Sequence, residues 1–501
     1  MKKKLKILLS AYACEPNKGS EPEIGWQWVL NLSKYGHDIY VITKTNNKKN
    51  IEKNKPKNYK NLKFIYFDLP NWILNIISRK GKQNPLSFIY YFLWQVGIYF
   101  AVKPYIKKIK FDYIHHVTFG SFRFPSLLSF YKIPFIYGPI SGGESCPMNL
   151  RKDFLFVEKI IDLLRDISNI YSKFSPLTNF TYMNSYKIFA TTEESKNAIP
   201  SIYHKKTEVL LAVATNKFKV NEKMYSKKKK NFKICFAGRL LSWKGLHIII
   251  ETYALIRRNF KNVSLAIIGK GIIKQALIEK AKLLKIENSI NWIGHINQRK
   301  LFNYFKNSDL IMLPSLRDSG GFVIFEAIKN GSLVAVLNQG GPGAIINNSC
   351  GISIDIKNKD QDQIVKDMAK SIIKLIKNKK NYVKLRKEAS DALEDIKTHA
   401  PEEQKILGWE KEDAALELER QAAQQESKRE QLLQGALTHS PDLIEAHAAQ
   451  HQATDEVVFL KQSNNLIRCL GRHAAAVGRL VEQFAAAGRR RLVAGLQPAK
   501  I

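Results

Sequence analysis

The sequence predicts an α/β protein: two doubly wound, Rossmann-like units facing a cleft, followed by a helical tail. Three observations predict it. Short apolar runs alternate with helical stretches over the first 395 residues, the signature of parallel strands with covering helices. The solvated run Lys227-Lys228-Lys229-Lys230 interrupts that alternation once and reads as an interdomain linker. Near residue 390 the composition changes from Lys, Asn and Ile to Ala, Gln, Glu, Arg and His. The expected organisation is a first unit over residues 1–215, a linker over 216–231, a second unit over 232–395 and a tail over 396–501.

The elements follow in order. Residues 6–11 read as a strand, followed by a Gly- and Pro-bearing loop to Gly25 and an amphipathic helix over about residues 22–34. Gly36-His37-Asp38 turns the chain into a strand at 39–43. Further strand signals in the first unit lie at 62–67, 113–117, 135–137 and 188–191. The second unit starts with the strand 232–236 and continues with strands at 264–268, 290–293, 310–313 and 333–337. In such sheets ligands sit at the carboxyl ends of the strands. Two facing units would hold a ligand in the cleft between them. In the tail, residues 410–433 have strong helical propensity.

Bulk properties narrow the function. At 45% apolar residues, the 501-residue chain has ordinary globular composition. Its five cysteines stand singly with no metal-ligand or redox spacing, as expected of reduced thiols. The apolar start is too short for a signal peptide, and the longest apolar stretch, 86–102, contains Gln95 and Gly97. No transmembrane helix is expected, and the location expected is cytoplasmic, peripheral at the inner face of the membrane. Net charge is +36, and from residue 397 onward 14 Lys plus Arg meet 14 Asp plus Glu, so the excess sits in the first 396 residues. The lysines are dispersed and no nucleic-acid motif accompanies them, so nucleic acid is not the expected partner. An anionic membrane surface or anionic substrate fits better, with a plain lysine-rich bias as the alternative. Residues 71–110 mix Trp, Tyr and Phe with Lys and Arg, which suits an interfacial helix or, equally, core aromatics of the first unit.

Two segments carry the chemistry. Arg317-Asp318-Ser319-Gly320-Gly321-Phe322-Val323-Ile324-Phe325-Glu326-Ala327 follows an expected strand and opens a helix. Gly320 and Gly321 let a ligand approach the backbone, and the helix start offers amides and a positive dipole end to a diphosphate. The two oxygens of Glu326 can accept from both hydroxyls of a ribose. Phe236-Ala237-Gly238-Arg239-Leu240-Leu241-Ser242-Trp243-Lys244-Gly245 places Arg239 and Lys244 in the loop after the second unit's first strand. Two cations there can bind a diphosphate and stabilise it as it leaves.

In combination these segments resemble the retaining nucleotide-sugar transferases of the GT-B fold, specifically glycosyltransferase family 4. That family carries a Gly-Arg-Leu-x-x-x-Lys-Gly loop and two acids separated by seven residues, here Asp318 and Glu326, with Asp where Glu is commoner. Gly340-Gly341-Pro342-Gly343-Ala344 resembles its later Gly-Gly-Pro turn. Cys14-Glu15-Pro16-Asn17-Lys18-Gly19-Ser20-Glu21 corresponds to the loop whose glycine, here Gly19, approaches the donor phosphates. Asp112-Tyr113-Ile114-His115-His116 resembles the Asp-x-x-His-x-His strand end whose second histidine contacts the transferred sugar. His116 comes one residue early, so either His115 or His116 faces the cleft. Gly138-Pro139-Ile140-Ser141-Gly142-Gly143-Glu144 is a loop that could line it, and Ala212-Val213-Ala214-Thr215 replaces the family's Asn-Gly. In the tail, Ala436-Leu437-Thr438-His439-Ser440-Pro441-Asp442-Leu443-Ile444-Glu445-Ala446-His447 weakly resembles a tetratricopeptide repeat junction, too little to bury its own face.

The residues and the resemblance together imply a site. Arg239, Lys244, His116 and Asp318 are the expected catalytic residues; Gly19, Ser20, Gly238, Gly320, Gly321, Phe322 and Glu326 are expected to bind the donor. No metal and no cofactor are expected. The implied reaction moves a sugar, with retention, from a nucleotide diphosphate sugar to a saccharide or lipid-linked acceptor in bacterial cell-surface polysaccharide synthesis. The rivals are a sugar-nucleotide hydrolase or phosphorylase on the same fold and a non-catalytic sugar-nucleotide-binding protein. Family members often end with a helix that returns to the first unit, and residues near Trp409 are where it would fall.

Overall fold

The computed structural model describes residues 4–18, 20–70, 86–211, 231–378 and 380–392. Two parallel sheets form it. The first contains β1 (Lys6–Ala11), β2 (Asp38–Thr43), β3 (Leu62–Tyr66), β4 (Tyr113–Thr118), β5 (Phe135–Ile140), β6 (Ser185–Ala190) and β7 (Thr207–Val209). Their spatial order is β3-β2-β1-β4-β5-β6-β7. The second contains β8 (Phe232–Ala237), β9 (Val263–Ile268), β10 (Ile290–Ile293), β11 (Leu310–Leu313), β12 (Leu333–Leu337) and β13 (Ile352–Ile354), in the order β10-β9-β8-β11-β12-β13. In each sheet the strand order reverses once, between β1 and β4 and between β8 and β11. Those two reversal points are where a doubly wound sheet opens a crevice.

The central strands are buried along most of their length because helices cover both faces. β4, β11 and β12 are buried throughout. The helices used below are α1 (Ser20–Lys34), α2 (Leu86–Lys108), α3 (Phe156–Phe174), α4 (Glu193–Ala198), α5 (Leu246–Asn259), α6 (Phe322–Lys329), α7 (Gly340–Ile345) and α8 (Gln361–Lys377). One face of α2, with Tyr91, Trp94, Ile98 and Val102, is core. The aromatic stretch over 71–110, read as interfacial helix or core, is therefore in good part the interior of the first unit; its residues 71–85 lie outside the described residues.

Most expected strands are present to within a residue or two. β7 and β13 are three residues each, too short to leave a periodic signal. β5 runs on through Gly138-Pro139, a dipeptide that reads as a turn, because a shift in register lets Ile140 pair with Ala190. One segment crosses the expected boundary. Cys146, Leu150 and Phe154 leave the first sheet after β5 and join the hydrophobic core of the second. Asp153 extends that contact, bonding Lys280 at 2.7 Å and Gln361 of α8 at 2.9 Å. Residues 212–215, the expected linker over 216–231 up to residue 230, and the tail with its repeat-like segment and Trp409 lie outside the described residues.

Candidate functional site

The crevice of the second sheet is assembled by glycines. The chain leaves β8 at Gly238 and turns through Ser242-Trp243-Lys244 to Gly245, which is left-handed at φ 70° and starts α5. A Cβ on Gly245 would lie 1.9 Å from the Pro314 carbonyl oxygen, so the loops after β8 and β11 touch backbone to backbone only with glycine here. The Leu316 N–H donates to the Trp243 carbonyl at 2.8 Å and ties the same loops together. The result brings Lys244 to Asp318, whose carboxylate accepts a charge-assisted hydrogen bond from the ammonium. Both side chains are about one-fifth to one-quarter exposed, so the pair is reachable from solvent.

Asp318 has a second task. Its carboxylate accepts from the Gly320 N–H at 3.3 Å, and its carbonyl accepts from the Gly341 N–H at 2.8 Å. The two glycine turns, 318–321 and 340–341, are thereby stacked at the crevice rim. Gly321, at φ 61°, is the N-cap of α6 and has no side chain to cap it. An uncapped helix start of this kind suits an anion. One turn in, Glu326 accepts from Gln298 Nε2 at 3.1 Å, and burial raises its carboxyl above the ordinary value. Arg239 stands exposed on the loop after β8.

The first unit reaches into this rim. Glu194 of α4 accepts from the Gly340 N–H at 2.8 Å. Glu144, buried at 1% exposure, accepts from Thr192 Oγ1 and Ser195 Oγ, each at 2.7 Å, and packs near Gly340. From α3, Glu158 accepts from the Ser242 N–H at 3.1 Å and from its hydroxyl, and Asp162 pairs with Arg317. The Arg317 guanidinium also lies over the Trp243 ring at 4.7 Å. Residues on either side of the Lys244–Asp318 pair are thus gripped by carboxylates of one helix.

The crevice of the first sheet is built from rings. Tyr12 follows β1 and Phe119 follows β4; their centroids are 5.1 Å apart, and Tyr91 and Trp94 of α2 pack edge-on to Tyr12. Lys44 lies over Tyr12 at 4.7 Å. The Phe119 N–H donates to Glu21 at the start of α1. The two histidines of β4 are below this floor. His115 Nε2 bonds the Gly138 carbonyl at 2.7 Å, and His116 bonds Ser126 Oγ at 2.9 Å and Tyr91 Oη at 3.1 Å. Burial lowers them to about 4 and about 3, so both are neutral at pH 7.

Residues 217–392 match the family model described as glycosyl transferases group 1. The match takes in all the described residues of the second unit. Among curated proteins, the glycogen synthase of Mycobacterium tuberculosis is 31% identical over 121 residues, 24% of this chain and 29% of that protein. The chain thus spans less than a third of that relative's length. Two solved structures align over 81% of this chain and 99% of their own: the sucrose-phosphate synthase of Thermosynechococcus elongatus, at 14% identity and TM-score 0.52, and a structure described as trehalose-6-phosphate from E. coli bound with UDP-2-fluoro glucose, at 11% and 0.53. At such identities the likeness establishes the fold, which is GT-B.

Within the second unit, the structure brings Lys244, Asp318, Gly320 and Gly321 together and sets Gly238, Phe322 and Glu326 on the adjoining turns of the same loops and helix. Arg239 stands exposed on the same loop. Gly19 lies outside the described residues, and Ser20 is described only as the first residue of α1. Of the two histidines, either of which was expected to face the cleft, both are buried on β4 and point to opposite faces of the sheet, His115 edge-on to Trp28 and His116 edge-on to Tyr137. Sequence reasoning missed Glu158, Asp162 and Glu194. Arg317 beside Asp318 was a signal in plain view, since a part-buried arginine needs a carboxylate; the partner's position, 155 residues earlier, left none.

Proposed function

We propose that the chain is a glycosyltransferase that moves a sugar from a nucleoside diphosphate sugar to a saccharide or lipid-linked acceptor with retained configuration. The observation that carries the proposal is Lys244 held against Asp318 beside the uncapped start of α6, at the reversal point of the unit that matches the group 1 model. In this reading the anomeric carbon–oxygen bond to the diphosphate breaks as the acceptor oxygen attacks from the same face. The leaving diphosphate takes the acceptor's proton. Lys244, Arg239 and the α6 amides carry the developing negative charge without a metal ion. Glu326 accepts from the ribose hydroxyls. The UDP-sugar in the E. coli neighbour supports a nucleotide donor. Tyr12 and Phe119, the half-buried rings at the crevice of the first unit, support a sugar acceptor, whose apolar face stacks on aromatic side chains. The same reading makes the enzyme cytoplasmic, peripheral at the inner face of the membrane, and a contributor to bacterial cell-surface polysaccharide.

The test is product analysis with UDP-sugars, with and without acceptor and with a chelator present. Transfer to acceptor with the donor's anomeric configuration, undiminished by chelator, is expected. Free sugar as the main product in the presence of acceptor would make the chain a hydrolase; sugar phosphate formed from inorganic phosphate would make it a phosphorylase.

A further inference from the structure

Helix α3 is amphipathic in the wrong sense for a globular protein. Its protein-facing side is polar: Glu158, Asp162, Arg165, Asn169 and Ser172 point inward at helical spacing, and the carboxylates of the first two bond the second unit. Its outward side is apolar. Phe156, Ile160, Leu164, Ile167, Tyr171 and Phe174 recur at the three- and four-residue spacing that aligns them on one face. Their exposures run from 44% at Ile160 to 76% at Phe174. Polar surface was available for this position, yet the stripe runs the full helix of 19 residues, about 28 Å. A contiguous exposed patch of that kind marks an interaction site.

From this stripe and the chain's charge we infer that α3 lies flat in the surface of an anionic lipid bilayer, apolar face inward to the acyl boundary. A half-cylinder of Phe, Ile, Leu and Tyr is the face an interfacial helix needs. Lys159 and Lys173 flank it, exposed, at headgroup level. The occupant is a bilayer and not a second copy because each chain carries +36: pairing two such faces would bring like charges together, while an anionic surface attracts them. No described helix is long and apolar enough to cross a membrane, so the contact is at the surface. The reverse face of α3 grips the Ser242 and Arg317 loops, which carries the donor crevice at a fixed position relative to the bilayer. This deepens the peripheral placement proposed above and shares its choice of an anionic membrane; it does not depend on sugar transfer.

The experiment is flotation of the full chain with vesicles of equimolar phosphatidylcholine and phosphatidylglycerol, against phosphatidylcholine alone. The wild type is expected to float with the anionic vesicles and to remain below with the neutral ones. Combined Ile160→Gln, Leu164→Gln and Ile167→Gln removes apolar area without adding charge and is expected to lower the partition coefficient at least about tenfold. These side chains are exposed, so the thermal unfolding midpoint should be unchanged; if it drops, Ile160→Gln alone replaces the triple variant and still lowers flotation. A wild type that fails to float, a variant that floats equally well, or equal flotation with neutral vesicles overturns the inference. So does light scattering showing a dimer that the substitutions dissociate. Donor turnover in solution, measured in parallel, separates any of these failures from a failure of the transferase reading.

Discussion

At the reversal point of the second sheet, backbone meets backbone. Gly245 lies against Pro314 there, and on the neighbouring strand ends Gly269 lies against Gly238 and Gly340 against Asp318, each where a Cβ would come within about 2.3 Å of a carbonyl oxygen. At the same point of the first sheet, ring meets ring, with Tyr12, Tyr91, Trp94 and Phe119 closing the floor. The topology is the same and the chemistry is not. Where glycines let loops converge, two charged side chains remain at the surface of the crevice. Where aromatics fill it, the titratable groups of β4 are sealed beneath. A reversal point provides a crevice; the size of the residues just past the strands decides whether it presents charge or an apolar platform.

That contrast can be broken from either side. Lys244→Ala should have the largest effect, reducing donor turnover about 10²–10³-fold, as removal of a charge-stabilising donor does. Steady-state kinetics with Lys244→Arg as the conservative control would check it, and a loss below about tenfold would move the leaving-group chemistry out of the glycine crevice. Gly245→Ala should cost about 3 kcal/mol of folding stability, read by denaturant unfolding, since it combines positive φ with a backbone collision. In the first unit the effect should reverse in kind. His116→Phe is expected to cost about 2 kcal/mol, because Ser126 and Tyr91 lose a partner, while turnover changes little.

The histidines also carry a pH signature. Their folded values, near 4 and 3, lie below the unfolded value of 6.5, so the unfolded chain binds more protons on acidification. Stability should therefore fall as pH drops below about 6.5, by up to about 1.4 kcal/mol per pH unit for each imidazole, until the folded groups titrate. Urea unfolding at stepped pH should show a shallower slope in His116→Phe. The smallest effect is expected at Glu326. Glu326→Gln should raise donor KM about tenfold, the scale of one hydrogen bond to a charged group. Because burial raises its carboxyl, the ionised form is lost at higher pH than in an ordinary glutamate. Donor KM should climb on acidification from above 4.5 in the wild type and stay flat in the variant.

The second crevice was legible because each of its parts is local. Gly238 to Gly245 and Arg317 to Ala327 each hold strand end, turn glycines and charged residue within a dozen positions, so spacing alone aims the side chains. The choice between His115 and His116 was not legible, for the opposite reason. The orientation of His116 depends on what covers β4, and those residues, Tyr91 and Ser126, come from α2 and from the loop that follows the strand. Glu158 and Asp162 were invisible because a helix with ten apolar positions reads as a core helix whose acids face water. The structure has it the other way round.

The sequence by itself determined the two sheets and the identity of the glycines and charges in the second crevice, because period, turn chemistry and propensity act over a few residues. Tertiary structure alone decided that Lys244 meets Asp318, 74 residues away, that residues 146–162 serve the second unit while following a strand of the first, and which face of α3 is outward. Those outcomes depend on which distant surfaces become neighbours. Burial and charge pairing are settled only then.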